Sequence, residues 1–358
     1  MTHPIDLPTD ALDYALPEAL IARRPATPRD AARMLVVHCG ADRIEHRRVH
    51  DLPACLRPDD LLVFNATTVI PARLIGRRAD SGGRVEGLYL DEPTPGVWRV
   101  MLKSNGRLRP GQRIELTDEA ATASARIELV ERSGAEWLVR LDEGETASVL
   151  DRVGRTPLPP YILRARGADG PGDDLDRAWY QTVYADPSAR GSVAAPTAGL
   201  HFTPDLLRAI DALGVHRETV LLHVGAGTFK PVTAPTLAEH EMHHERYTVP
   251  ASTIDALRRA SGRRLAVGTT TVRTLESLPA DLSTVAGVVS GSTDLLIAPG
   301  WSFRHVDGML TNFHLPRSTL LALVGAMTGL DRLKAIYAAA IAEAYRFYSY
   351  GDAMLVLP

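Results

Sequence analysis

The sequence predicts an α/β fold that carries a small antiparallel β-barrel as an insertion, and three observations predict it. Beyond about residue 200, short apolar runs of strand length alternate with segments of helical spacing, the pattern of strands and helices in turn. Between residues 76 and 155 the texture changes. Strand candidates at 84–90, 97–102, 112–116, 125–130 and 136–141 are separated by Ser81-Gly-Gly, Pro95-Gly96, Pro110-Gly111 and Ser133-Gly134. Evenly spaced short strands with Gly/Pro turns build small barrels. Finally, 358 residues suffice for two domains. The expected organisation is a discontinuous α/β domain, 1–75 with 156–358, interrupted by a barrel domain at 76–155.

Taken in order, 16–22 reads as a short helix with Pro17 in its first turn, where the missing N–H is harmless. Arg23, Arg24, Arg29 and Arg33 follow, either as a solvated loop or as an anion-contacting arm. Segments 34–38 and 61–64 are strands. The second runs into Asn65-Ala66-Thr67-Thr68, and polar residues at a strand end are a common source of binding groups. Between 68 and 115, nine Arg or Lys stand against five Asp or Glu, in a chain of net charge −3. Solvated strand faces account for this excess as well as a phosphate-binding face does.

Segment 156–161 is a stiff Pro-rich linker, 167–176 a surface loop and 177–184 a helix. The small residues of 191–202 let a ligand or another backbone lie close. Thr203-Pro204-Asp205 starts a helix that Gly214 ends. Ser252 caps a helix to Ala260. A strand at 265–268 runs into Thr269-Thr270-Thr271 and a helix to Leu278, and free N–H groups there offer an anion or ribose site, or simply a cap. Strands are expected at 295–298 and 309–313, the latter leading to Asn312 and His314. Ser318 or Thr319 opens an apolar helix, Leu330, Leu333, Ile336 and Tyr337 mark another, and 353–357 is the last strand. Tyr345, Phe347, Tyr348 and Tyr350 are core or base-stacking groups.

Composition narrows the function. The hydrophobic content of 45% is ordinary for a globular protein. The nearly apolar run 320–327 is far short of the ~20 residues that cross a bilayer, and the first residues lack a signal segment. A cytoplasmic protein without a membrane partner is expected. Cys39 and Cys55, the two cysteines present, lie far in sequence from the histidines and are expected to be free buried thiols.

The chemistry gathers after the apolar run 220–222. His223 ends it, Gly225-Ala226-Gly227-Thr228 allows close backbone approach, and His240-Glu241-Met242-His243-His244-Glu245 follows. Histidine is the side chain whose ordinary pKa, ~6.5, lies nearest neutrality. Three roles are open: metal ligands, structural hydrogen-bonders, or general acids and bases. Residues 240–244 carry a His-Glu-x-x-His spacing, but Pro250 soon ends any helix that would set its histidines on one face, so acid–base work on an organic substrate is favoured. Dinucleotide, phosphate-loop and Gly-x-Ser-x-Gly signatures are absent. The residues by themselves therefore reach an α/β enzyme with a His-rich site and a basic accessory barrel.

Several segments together resemble one family: Asp60-Leu-Leu-Val-Phe-Asn65, Val69-Ile-Pro-Ala-Arg-Leu74, Pro157-Leu-Pro-Pro-Tyr-Ile162, Val193-Ala-Ala-Pro-Thr-Ala-Gly-Leu-His-Phe202, Leu222-His-Val-Gly-Ala-Gly-Thr-Phe229, His240-Glu-Met-His243, Val267-Gly-Thr-Thr270, Thr311-Asn-Phe-His-Leu-Pro316 and Tyr345-Arg-Phe-Tyr-Ser-Tyr-Gly-Asp-Ala-Met354. The ordered set, running nearly end to end, is similar to the S-adenosylmethionine:tRNA ribosyltransferase-isomerases of queuosine biosynthesis, the QueA family. The resemblance implies a three-layer α/β/α domain with an inserted β-barrel. It also implies transfer and isomerisation of the ribosyl moiety of S-adenosylmethionine onto 7-aminomethyl-7-deazaguanine at the tRNA wobble position, giving epoxyqueuosine-tRNA, adenine and methionine. The partners implied are S-adenosylmethionine as co-substrate and a tRNA with a GUN-type anticodon. The protein is expected to be a monomer that uses no metal or other cofactor.

On that basis His201, His223, His240 and His243 are the expected proton-transfer groups, with Glu245 orienting one of them. Gly225, Gly227, Thr269, Thr270, Asn312 and His314 are expected to hold S-adenosylmethionine, and Arg73, Arg77, Lys103 and Arg107 the tRNA backbone. One departure stands out: the family usually reads Asn-Asn-Thr-Arg where this chain has Asn65-Ala66-Thr67-Thr68. The alternatives are a metal-dependent hydrolase of a nucleoside or sugar, and a tRNA-binding paralogue with an altered acceptor.

Overall fold

The computed structural model describes residues 7–41, 43–167, 170–225 and 232–358. In chain order the elements are β1 (Arg33–His38), β2 (Arg43–Arg48), β3 (Leu61–Asn65), β4 (Thr68–Val69), β5 (Arg73–Arg78), β6 (Arg84–Thr94), β7 (Val97–Ser104), β8 (Arg113–Thr117), β9 (Ser124–Ser133) and β10 (Glu136–Leu141). Helices α1 (Thr146–Val153), α2 (Pro160–Arg166) and α3 (Asp173–Trp179) come next, then β11 (Arg190–Ser192), α4 (Pro204–Ala212), β12 (His216–Leu222), β13 (Glu245–Val249), α5 (Ala251–Arg259), β14 (Arg264–Val267) and α6 (Thr269–Glu276). The chain ends with β15 (Val289–Thr293), β16 (Gly308–Asn312), α7 (Thr319–Thr328), α8 (Leu330–Ala342) and β17 (Ala353–Leu357).

Two compact units divide these elements; one is Thr68–Gln181 with Arg190–Ala195, and the other holds the rest. The larger unit is a three-layer α/β/α domain on a nine-stranded sheet of order β15-β13-β12-β3-β14-β16-β17-β1-β2. Strands β12, β3, β14 and β16 run parallel to one another in register. β13 and β17 lie antiparallel on either side of them. Every residue of β3, β16 and β17 is buried, as expected of strands covered on both faces. One face packs Met34, Val36, Leu62, Phe64, Leu265 and Val267 against Phe202 and against Leu206, Leu207 and Ile210 of α4. Leu35, Val37, Val63, Ala266 and Met309 alternate with them on the other face and are equally buried.

The smaller unit is a closed barrel of order β10-β7-β6-β5-β8-β9. Its interior is filled by alternate residues, among them Leu74, Val85, Trp98, Val100, Ile114, Ile127 and Val139. Strand β5 crosses the expected boundary at 75/76, and α2 and α3 lie beyond 155. Their inclusion has a local cause, because Arg73 and Arg155 exchange backbone hydrogen bonds of 3.0 and 2.8 Å.

Several local expectations are corrected. The helix expected at 177–184 is α3, which starts in the supposed loop. Asp173, Asp174 and Asp176 in its first turn suit a helix N-terminus, and Asp173 accepts from Arg177 at 2.6 Å. Segment 16–22 forms only a 3-10 turn, Glu18–Leu20. Pro250, not Ser252, precedes α5, and the Ser252 hydroxyl goes to Glu218 at 3.0 Å. No strand forms at 295–298, although Ile297 and Ala298 are buried. The pairing strand is β15, whose residues Ser290, Gly291 and Ser292 are exposed and carry no apolar signal. Within the small-residue run, Gly199 makes room for a tyrosine: a Cβ there would lie 1.8 Å from the Tyr184 hydroxyl. Cys39 and Cys55 are free thiols, each partly rather than fully buried.

Candidate active site at the carboxyl edge of the sheet

Because β12, β3, β14 and β16 are parallel neighbours, their carboxyl ends line one edge of the sheet. That edge is where open α/β sheets bind ligands. The exits are His223 to Gly225 after β12, Asn65 to Thr67 at β3, Gly268 to Thr270 after β14, and Asn312 to His314 at β16. The antiparallel neighbours bring their amino ends to the same edge, Glu245 on β13 and Asp352 before β17.

Asn65 ties two exits together. Its Nδ2 donates to the Leu222 carbonyl at 2.9 Å, and its Oδ1 accepts the Leu222 N–H at 3.0 Å and the Thr67 N–H at 3.3 Å. Thr67 Oγ1 lies 2.9 Å from Nδ1 of His223. Burial, and secondarily the Arg246 guanidinium, hold the His223 imidazole below its ordinary pKa. It is half-buried and neutral at neutral pH, fit to take a proton.

Glu245 is 5% exposed and forms an ion pair with Arg273 of α6. Its Oε1 accepts the Gly225 N–H at 3.1 Å, so the carboxylate fixes the backbone just beyond His223. Arg273 also donates from Nε to the Leu295 carbonyl at 3.0 Å. Helix α6 starts at Gly268, whose φ of 92° lies in the left-handed region that favours glycine. No side chain caps it, and Thr269 and Thr270 in its first turn are buried at the edge. Gly227 lies outside the described residues.

A second cluster surrounds the end of β16. His201, on the 3-10 turn Thr197–His201, places Nε2 3.1 Å from Asn312 Nδ2. Burial pushes His201 down to about 4; Asp352 opposes the shift, while Arg346 and Arg29 reinforce it. His314 points inward. Its Nε2 lies 2.9 Å from the Thr311 hydroxyl, and burial pushes it down to about 3. Both imidazoles stay neutral in the folded protein where the unfolded chain takes up a proton near pH 6.5. Folding stability is therefore full above ~6.5 and falls as pH drops toward about 4 for His201 and about 3 for His314. The urea midpoint followed against pH should show this decline, and His314→Gln should flatten its most acid part.

His240 and His243 lie on the irregular stretch that leads into β13, where no helix forms. His240 is partly buried, and its N–H donates to the Leu237 carbonyl at 3.2 Å. Burial, and secondarily His243, lower its pKa. His243 is exposed. The edge thus gathers His201, His223, Glu245, Gly225, Thr269, Thr270, Asn312 and His314, and leaves His240 and His243 on the approach to it. Among the described residues, no three His, Cys, Asp or Glu are grouped to hold a metal ion.

Sequence reasoning missed Arg273, Thr67 and Thr197. A charged residue on a short helix whose other positions are all buried was the available signal for Arg273. At the departure from the usual family pattern, Ala66 is buried, and its backbone bonds Val220 and Asp186 at 2.9 and 2.8 Å. Thr68 pairs in register with Arg190.

On the barrel, Lys103 and Arg107 are exposed. Arg77 is exposed and donates to the Gly82 carbonyl at 3.1 Å. Arg73 is the least available of the four candidates, being half-buried with Glu86 at 4.0 Å.

An α/β unit with acid–base and amide groups along the carboxyl edge of its parallel strands, interrupted by a closed barrel, defines an enzyme of polar small-molecule chemistry with an accessory domain. More particularly, the chain belongs to the queuosine biosynthesis protein family, whose model matches residues 9–356. It is 47% identical over 364 residues to the S-adenosylmethionine:tRNA ribosyltransferase-isomerase of Gloeobacter violaceus, covering 100% of this chain and 99% of the relative. It is 50% identical over 354 residues to the protein of the same name from Anaeromyxobacter dehalogenans, covering 96% and 98%. A crystal structure of S-adenosylmethionine tRNA ribosyltransferase from Thermotoga maritima superposes with a TM-score of 0.53 at 32% identity, covering 97% of this chain and 100% of that one. Among the described residues, no helix is long and apolar enough to cross a membrane.

Proposed function

We propose that this chain is an S-adenosylmethionine:tRNA ribosyltransferase-isomerase. It moves the ribosyl moiety of S-adenosylmethionine onto the aminomethyl group of 7-aminomethyl-7-deazaguanine in tRNA and isomerises it, yielding epoxyqueuosine-tRNA, adenine and methionine. The observation that carries the reading is the end-to-end identity of about half the residues with relatives of that name. The same comparison favours the transferase over a metal-dependent hydrolase.

The reaction needs three proton movements. The sulfonium acidifies the neighbouring C5′ hydrogen, which a base removes. Adenine leaves more readily when protonated, and the attacking amine must be neutral. His223 is assigned the base: it stands at the strand edge, is neutral, and keeps a hydroxyl partner that can donate or accept. His240 and His243 are assigned to the amine and the leaving purine as the substrates close over the edge. Gly225, Thr269, Thr270, Asn312 and His314 are assigned to S-adenosylmethionine. The ion pair of Glu245 with Arg273 is assigned a scaffolding task. No metal or other cofactor enters these steps, and the protein is read as a cytoplasmic monomer acting on tRNAs with GUN-type anticodons.

Lys103, Arg107 and Arg77 are assigned to tRNA phosphates. Lys103→Ala and Arg107→Ala should each weaken tRNA binding and lower the slope of log K against log salt by about 1, measured by tRNA titrations over a range of salt. The proposal as a whole is tested by incubation with S-adenosylmethionine and tRNA carrying the aminomethyl-deazaguanine, followed by nucleoside mass spectrometry. Epoxyqueuosine with stoichiometric adenine supports it; unchanged nucleoside contradicts it.

A further inference from the structure

Asn312 fixes the protons of His201 as well as its position. The Asn312 Nδ2 lies 3.2 Å from the Tyr348 carbonyl oxygen, which can only accept, so the amide nitrogen faces that side. The Oδ1 correspondingly accepts the Thr197 hydroxyl at 2.9 Å. The remaining amide N–H points at Nε2 of His201, 3.1 Å away. An amide N–H can only donate, so Nε2 presents its lone pair and the ring proton sits on Nδ1.

Among the described residues that Nδ1–H meets no acceptor, although His201 is only 4% exposed. The nitrogen is not among the fully enclosed side-chain atoms that lack a partner, so it reaches the surface of the edge, where an N–H without a protein acceptor is available to a ligand. Protonating Nε2 would set N–H against N–H. The charged groups around the ring are Asp352, Arg346 and Arg29, and burial outweighs the carboxylate.

We propose that His201 works in the transfer reaction as a permanently neutral hydrogen-bond donor, its Nδ1–H holding an acceptor on the nucleoside of S-adenosylmethionine, and that it is not one of the bases. The identity of the ligand rests on the transferase reading; the tautomer does not. Labour is thereby divided along the edge. His223 faces a hydroxyl that can donate or accept, so its ring can change protonation without losing its partner. His201 faces an amide that allows one tautomer only.

The test uses the full chain labelled with nitrogen-15 in its histidines, His201 being assigned through His201→Gln. The Nδ1–H tautomer should persist without titration down to about pH 5, and the Nδ1 resonance should move when S-adenosylmethionine is added. Kinetically, His201→Asn keeps an amide N–H near the Nδ1 position, whereas His201→Gln places its amide near Nε2. The Asn variant should retain at least about tenfold more kcat than the Gln variant, a contrast of the size expected for one positioned donor. A His201 that titrates near its ordinary value, that carries its proton on Nε2, or whose Asn variant is no better than the Gln variant would overturn the proposal. The two readings fail separately: a wild-type enzyme that releases no adenine removes the transferase reading and leaves the measured tautomer standing.

Discussion

Replacing Arg273 by Met is expected to cost about 3–5 kcal/mol of folding stability, because it strands a buried carboxylate. The side chains of Arg273 and Glu245 are 7% and 4% exposed, and water cannot take over the lost partner. The guanidinium bridges α6, Glu245 on β13 and the Leu295 carbonyl, so its loss is felt on three segments at once. The carboxylate would have to protonate or open the edge. Urea unfolding of the variant should show a midpoint far below that of the wild type. Arg273→Met combined with Glu245→Leu should recover much of the loss, because the pair is removed together and no charge stays buried. Recovery of stability without recovery of activity is expected, since Glu245 also holds the Gly225 N–H beside His223. A single variant as stable as the wild type would show that the pair is relaxed and wet.

The second large effect falls on catalysis. His223→Gln should lower the rate of adenine release by about 10²–10⁴-fold, the usual contribution of a positioned base, with little change in KM for S-adenosylmethionine. Glutamine removes the titratable lone pair and places its amide near the Nε2 position, giving up the Nδ1 contact to Thr67. His243→Gln, at an exposed position, should cost much less. Single-turnover adenine release with saturating tRNA separates the two. Equal losses would move the base away from the strand edge.

Much of this arrangement was legible in the chain. The apolar runs that became β1, β3, β14, β16 and β17 are buried on both faces, so they read as strands without alternation. Polar residues at their ends, Asn65, His223, Thr269 and Asn312, marked the functional edge because such residues are rare in a core. The Gly/Pro punctuation gave the barrel strands β6 to β10. Edge strands escaped notice: β2, Arg-Ile-Glu-His-Arg-Arg, is solvated while its partner β1 carries the hydrophobic signal, and β15, Val-Ser-Gly-Ser-Thr, is solvated and pairs with β13, Glu-Arg-Tyr-Thr-Val, which carries little of it. Segment 295–298 misled for the opposite reason, since Ile297 is buried without joining the sheet. The site's internal wiring was illegible. Asn312 is 111 residues from His201, and Glu245 is 28 from Arg273; only the sheet order brings such partners together. The Arg73–Arg155 bridge, which moves the domain limits, is hidden in the same way.

The central claim is that an imidazole on the carboxyl edge of the parallel strands removes the C5′ hydrogen of S-adenosylmethionine. It is tested most directly by following tritium from 5′-tritiated S-adenosylmethionine into water with substrate tRNA present. The wild-type enzyme should release tritium, and His223→Gln should bind S-adenosylmethionine with near-normal affinity yet release almost none. Release at the wild-type rate from the His223→Gln enzyme would contradict the account.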